Sequence, residues 1–188
     1  MDKDEYFFVK GKLTINVEPV APSEVPTTQQ SFINEIPKAF AVASQCSHLD
    51  IRAQKQVEQI SSTHAVFEQL LSAQNDKINL LLSFMLMQLD NKSQRFITDN
   101  FGASGLEFIS QSAFIAGQAV RLKLFLTHPV MAIYCYGKVI QCHAENQQYK
   151  VKVVYSHLQE QDRDVLIRTA LFFQQKLLRK RAQFRKGS

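Results

Sequence analysis

Residues 95–110 read RFITDNFGASGLEFIS and carry the clearest local signal in the chain. Two apolar segments flank a short run of Asn, Gly, Ser and Gly. These residue types favour tight turns, because they tolerate unusual backbone angles or hydrogen-bond to their own backbone. The stretch therefore predicts a strand, a tight turn and a second strand.

The segments after this turn have the alternation of half-buried strands. In VRLKLFL (120–126) and YKVKVVY (149–155), apolar and polar residues alternate, so that one face of each strand would be buried. The polar sequence HAENQQ at 143–148 supplies a hairpin connection. Within the block 91–157, short antiparallel strands in succession indicate a small barrel.

The N-terminal block, residues 1–18, is predicted to add the first barrel strand. Residues 6–17 are rich in aromatic and β-branched types, which favour one strand or a bent pair, with Gly11 at the bend. Residues 18–37 hold four prolines, and a residue before proline is pushed towards extended conformations. The block 19–37 is therefore predicted to be an extended surface linker.

Residues 38–90 contain neither proline nor glycine and show a heptad pattern. A repeat of 3.5 residues over five heptads is typical of a coiled coil rather than of a surface helix. One helix of this length would span roughly 75 Å, more than its own globule could cover, so copies of the chain are expected to assemble. The predicted oligomerisation residues at the a and d positions are Val57, Ile60, His64, Phe67, Leu71, Ile78, Leu81 and Met85.

Two questions about this region stay open. A tetramer is favoured, but the mixture of Val, Leu, Ile and Met at the a positions does not fix the number of chains, so a dimer or trimer is an alternative. The region could also form two shorter helices that break near Ser61 and Ser62 and pack within one chain.

Residues 158–188 predict a basic C-terminal helix. Glu160 and Asp162 lie near the positive end of its dipole, and lysines and arginines lie at the other end. The lysines and arginines of such a helix could bind the phosphates of a nucleic acid. The simpler interpretation is a solvated helix end, because no stacking aromatic platform or known reader motif accompanies it.

Composition narrows the function classes. The 188 residues carry a formal charge of +5, which is compatible with an anionic partner. The most apolar run, at 80–89, is much shorter than the roughly 20 residues of a membrane span, and no signal peptide is visible. We expect a cytoplasmic protein. The three cysteines lack the spacing of a metal site.

Catalytic chemistry finds little support in the sequence. Cys142 and His143 are adjacent on a predicted strand, so their side chains would point to opposite faces and could not act as a nucleophile–base pair. The other histidines are scattered without a nucleophile or a carboxylate beside them. We predict that the protein is not an enzyme and that it needs no cofactor or metal.

The order of these motifs resembles the PilZ domain. The resemblance covers residues 99–181, with residues 6–17 as a displaced first strand, and lies in four segments: NFGASG (100–105), GQAVRLKLFL (117–126), YKVKVVYSHL (149–158) and EQDRDVLIRTALFFQQKLLRKR (160–181). It implies an α+β fold, a six-stranded antiparallel β-barrel with a C-terminal helix, here interrupted by a long coiled-coil helix. This arrangement is similar to an atypical oligomeric branch of the family, in which extra helices build a tetramer.

PilZ domains are bacterial and commonly receive the second messenger cyclic di-GMP. The family's site combines an R-x-x-x-R motif with a [DN]-x-S-x-x-G turn that contacts the guanine. Asn100 and Gly105 match the turn, whereas Gly102 replaces its serine. No arginine pair precedes the turn, and Arg181 and Arg185 have the right spacing only at the far C-terminus, where a basic stretch produces such a pair by chance.

The resemblance therefore implies a non-catalytic adaptor of cyclic di-GMP pathways that presents several barrels to a protein partner. Nucleotide binding would be degenerate or absent, with cyclic di-GMP at most a weak ligand. Two alternatives remain: a genuine cyclic di-GMP receptor that uses non-standard cations, and a nucleic-acid binder that uses its basic C-terminal helix.

Overall fold

The computed structural model describes residues 8–57 and 65–186, which form seven strands and four α-helices. Two short 3₁₀ turns, Pro22–Glu24 and Lys92–Gln94, lie in the connections. In chain order the elements are β1 (Phe8–Lys10), β2 (Thr14–Val20), α1 (Gln29–Glu35), α2 (Lys38–Val57), α3 (Ala65–Met87), β3 (Arg95–Gly102), β4 (Gly105–Ser110), β5 (Ala119–Thr127), β6 (Val130–Glu145), β7 (Gln148–His157) and α4 (Glu160–Lys186).

The strands close into an antiparallel barrel. The order is β3-β2-β5-β6-β7-β4, and β4 pairs again with β3. Strands β1 and β2 both pair with β3, Val9 opposite Phe101 and Ile15 opposite Phe96, so they are two pieces of one barrel strand. A Cβ at Gly11 would lie 2.4 Å from the Phe101 ring, which explains the glycine at the break. The predicted six-stranded barrel is confirmed.

The hydrophobic core fills the barrel interior. Along β5, buried and partly exposed residues alternate, with Leu122 and Leu124 inside. Helix α4 covers one end, where Leu166 is fully buried and the Phe173 ring packs edge-on to Phe101, with 5.4 Å between the ring centres. Helices α2 and α3 both contact β6.

Helix α1 corrects the prediction of an extended linker over 19–37. The Thr28 hydroxyl accepts a hydrogen bond from the Ser31 amide at 3.1 Å and caps the helix. Phe32 on this helix is fully buried. Pro26 and Pro37 lie on either side of this helix and do not interrupt it. A segment with four prolines can therefore still contain a helix.

The expected single helix over 38–90 is instead two helices. The Phe40 ring on α2 packs 5.8 Å from that of Phe125, and the Leu89 carbonyl after α3 accepts a hydrogen bond from Lys123 at 3.3 Å. Both contacts are on β5, two positions apart. One continuous helix would place residues 40 and 89 about 70 Å apart, so the chain leaves the barrel through α2 and returns through α3. The suggested break at 61–62 lies outside the described residues.

None of the helices in the described ranges is long and apolar enough to cross a membrane.

Candidate ligand face and assembly helices

The turn between β3 and β4 is fixed from two sides. The backbone amide of Tyr155 on β7 donates to the Ser104 carbonyl at 2.9 Å. The Arg163 guanidinium on α4 donates to the Ala103 carbonyl at 2.7 Å. Sequence reasoning missed Arg163, because only the fold brings the start of α4 to this turn. The turn is therefore held by the rest of the protein.

Gly105 has a packing reason to be glycine. A Cβ at this position would lie 2.2 Å from the carbonyl oxygen of Val153 on the neighbouring strand β7. No side chain is accommodated at that distance, so the close approach of the two backbones requires glycine. Its place in the predicted ligand motif is explained without a ligand.

Asn100 lies in the middle of a row of polar side chains that crosses four strands. Strand register aligns Lys10, Asn100, Glu107 and Lys152, which we call the Asn100 row. The Asn100 amide donates to a Glu107 carboxylate oxygen at 2.8 Å. Glu107 also pairs with Lys150 at 3.2 Å and with Lys152 at 3.9 Å. The predicted ligand residue is thus already bound by this chain's own carboxylate.

The charges around the Asn100 row are mainly those of lysines. Lys12 pairs with Asp99 at 3.0 Å, and this hydrogen bond lowers the pKa of Asp99, with smaller contributions from the charges of Lys10 and Lys150. Lysine offers a compact point charge, whereas arginine offers the planar, bidentate donors that suit phosphates and base edges. This lysine-rich face can attract an anion. It lacks the planar, bidentate donors that the arginines of an R-x-x-x-R motif would supply.

A second polar cluster lies outside β5 and β6 and holds α1. The Tyr136 hydroxyl donates to Glu35 of α1 at 2.5 Å, and Arg121 donates to the same hydroxyl at 3.1 Å and to Glu18 at 2.8 Å. Burial raises the pKa of Tyr136, and the hydrogen bond to Glu35 raises it further. The phenol therefore stays protonated and acts as a fixed donor.

Helix α3 exposes apolar side chains on two faces. Among the predicted oligomerisation residues, Leu71, Ile78 and Leu81 are exposed, and Met85 is partly buried against the core. The side chains of four others are outside the described set: Val57, Ile60, His64 and Phe67.

The second exposed face of α3 is formed by Leu80, Phe84 and Met87, which the heptad assignment missed because it assumed a single seam. Leu82 and Leu86 form the buried side. A cluster of exposed apolar side chains of this extent usually marks an interaction surface. In one chain, α3 is covered on one side.

Other sequence candidates do not converge on a site. Cys142 and His143 are neighbours on β6, and the three cysteines are not joined in disulfides. Within residues 8–57 and 65–186, no three His, Cys, Asp or Glu side chains are grouped as metal ligands would be. The side chains of Arg181 and Arg185 are not among those described.

Comparison with family models matches this chain to the PilZ domain over residues 73–172. The chain belongs to the PilZ domain family. The match begins within α3, so the first barrel strand, β1–β2, precedes the region that the PilZ pattern recognises. No curated protein matches the chain.

The solved structures that resemble this PilZ protein include two from different bacteria. One is a pathogenic protein from Xanthomonas campestris, described as a new tetrameric PilZ domain self-assembled via an unusual helical bundle. It is 13% identical, the match covers 93% of this chain and 91% of that one, and the TM-score is 0.59.

The other is the Bacillus subtilis inhibitor of motility, MotI/DgrA, at 12% identity and a TM-score of 0.48. The match covers 96% of this chain but only 54% of that one. At these identities the first structure shares the fold with this chain, and we base no argument on the second.

Proposed function

We propose that this PilZ protein is a non-catalytic, oligomeric adaptor in bacterial cyclic di-GMP signalling with degenerate binding of the nucleotide. The observation that carries the proposal is the hydrogen bond from Asn100 to Glu107, whose carboxylate also pairs with Lys150. In the family's turn motif, the position of Asn100 contacts the guanine. Here its amide is engaged, and a negative charge lies beside it.

The electrostatics of the Asn100 row favour weak binding. Cyclic di-GMP carries two phosphates, and Glu107 would repel them at short range while also competing for Lys150 and Lys152. The lysines partly offset this repulsion. Attraction between exposed charges is screened by salt, so any binding should weaken steeply as ionic strength rises.

The assembly part of the proposal rests on the two exposed apolar faces of α3. Leu81 is 70% exposed and Phe84 is 64% exposed in one chain. Packing α3 helices from several copies would cover both faces, in the manner described for the Xanthomonas campestris protein. An assembly that presents several barrels together would raise the avidity for a protein partner without any new contact.

The test is a calorimetric titration with cyclic di-GMP at 50 and 300 mM NaCl, run together with a light-scattering mass. We expect binding no tighter than about millimolar, which corresponds to about 4 kcal/mol, and a mass of four chains. A micromolar dissociation constant that persists at 300 mM NaCl would contradict degenerate binding. It would favour a genuine receptor, the second candidate function, in which Lys10, Lys12, Lys150 and Lys152 hold the phosphates.

A further inference from the structure

A pocket of about 310 Å³ lies where α1, α2, β6 and the start of α4 meet. Apolar side chains, including Phe40 and Ala132, line it together with Ser44 and Asp162. Small-molecule sites in proteins occupy roughly 300–1,000 Å³ and combine apolar walls with a few polar groups. The pocket has that size and that mixed lining, and it shares no residue with the Asn100 row.

Two buried polar groups at this pocket have no partner. Asp162 is 6% exposed, and no side chain or backbone amide in the described ranges donates a hydrogen bond to its carboxylate. Ser44 is 8% exposed, and its hydroxyl is likewise without a hydrogen bond among the described residues. Most buried polar side chains have at least one partner. The Ser44 hydroxyl has almost no accessible surface, so an occupant of the pocket would not reach it; the unpartnered carboxylate of Asp162 is the group that points to a missing donor.

The Asp162 carboxylate forms no ion pair with the other charged residues of the lining, which leaves it available to a cationic donor. Lys38 and His48 also line the pocket, but neither lies within 4 Å of the Asp162 carboxylate in an ion pair. Burial raises the pKa of Asp162 to about 6, so at pH 7 the carboxylate is mostly ionised. A buried, unpaired charge is unfavourable for folding, and a bound cation would remove that penalty.

We propose that this pocket binds a small organic cation, a protonated amine with an apolar body. The ammonium group would meet Asp162, and the apolar body would lie against Phe40 and Ala132. An ammonium group supplies up to three donors, enough for both oxygens of the Asp162 carboxylate.

The test uses calorimetric titration of the full chain with benzylammonium and n-butylammonium chloride, with benzyl alcohol as the neutral counterpart. We expect one amine bound per chain and at least tenfold weaker binding of the alcohol. Asp162→Asn should weaken amine binding at least tenfold, whereas Asp164→Asn, an exposed carboxylate on the same helix, should leave it unchanged.

A blocking variant gives a second, independent measurement. Ala41 is exposed and lines the pocket, so Ala41→Trp should fill it and abolish amine binding while the carboxylate remains. Failure of both amines to bind at 10 mM would overturn the proposal, leaving a pocket that holds water only. Equal binding of benzyl alcohol, or unchanged binding in Asp162→Asn or Ala41→Trp, would overturn it too.

Discussion

At the scale of single residues, Glu107 controls how the outer face of the barrel responds to an anion. Its carboxylate accepts from Asn100 and pairs with Lys150. Glu107→Gln keeps the shape of the side chain but removes the charge, which frees the lysines. We expect cyclic di-GMP to bind about fivefold more tightly at 50 mM NaCl, since two charges about 4 Å apart in water interact by about 1 kcal/mol. Calorimetry on both proteins measures the change.

The matched control for Glu107→Gln is Glu145→Gln, an exposed carboxylate at the end of β6 that changes the net charge equally. It should leave the dissociation constant within about twofold, because screening by salt limits distant charges. If both variants tighten binding by the same factor, net charge alone acts, and the role given to Glu107 is wrong.

Asp162 should make the protein less stable as the pH rises. Its pKa is raised from 3.8 to about 6 by burial, so the folded state binds the proton more tightly than the unfolded state does. The stability contributed by the protonated form is complete below pH 3.8 and is lost as the pH rises through 6. The difference amounts to about 3 kcal/mol at about 1.4 kcal/mol per pKa unit.

Asp162→Asn removes this ionisation and should raise the free energy of unfolding by about 3 kcal/mol at pH 7.5, and by only about 1 kcal/mol at pH 4.5. Urea unfolding at both pH values measures it. Asp164→Asn, which alters an exposed carboxylate, should change stability little at either pH. A gain from Asp162→Asn that does not depend on pH would show that the carboxylate is not ionised in the folded protein at pH 7.5.

The turn residues Asn100 and Gly105 could be found in the sequence because turn chemistry is local. Their roles could not, because these depend on partners that are distant in the chain. The carbonyl of Val153 makes Gly105 necessary, and Arg163 holds the turn from α4. Glu107 could be recognised as the partner of Asn100 only once the register of β3 and β4 was known.

At the scale of elements, α1 depends on one buried ring. Phe32 packs against Tyr134 and His157, with ring centres 6.2 and 6.0 Å apart. Phe32→Ala should lower the free energy of unfolding by about 3–5 kcal/mol and speed tryptic cleavage at Lys38. Ile33→Ala, a half-exposed neighbour, should cost about 1 kcal/mol or less. Equal effects of the two variants in urea unfolding would mean that α1 is not docked through Phe32.

The barrel was predictable and the helical layout was not, for one physical reason. Alternation along a strand reports which face is buried, so β5 and β7 could be assigned from their residues alone. Heptad spacing reports an apolar stripe but not whether the chain continues straight or turns back. The reversal becomes visible only in tertiary contacts such as Phe40 with Phe125. Helix α1 was missed because proline density outweighed the cap at Thr28.

At the scale of the whole molecule, the helix pair leaves more apolar surface uncovered than the barrel does. The barrel closes through the pairing of β4 with β3, and α4 covers one end. Helix α3 contacts the barrel through its buried side, with Leu82 and Leu86, and through the partly buried Met85. Its two other apolar faces point in different directions, so one partner helix cannot cover both. This geometry favours an assembly of more than two chains.

A charge on the uncovered surface of α3 should therefore break the assembly. In Phe84→Glu, packing copies of α3 would bury a carboxylate without a partner, which is strongly unfavourable. We expect the light-scattering mass to fall from four times the 21.5 kDa chain to a single chain, with the barrel still folded by circular dichroism.

Ile115→Glu is the matched control, because Ile115 is 72% exposed in the connection between β4 and β5 and belongs to neither helix of the pair. It adds the same charge to a similarly exposed apolar site and should keep the mass of the assembly. A wild-type protein that has the mass of one chain at micromolar concentration would refute assembly through α3. If Phe84→Glu retains the full mass, the copies must instead associate through a surface that does not include Phe84.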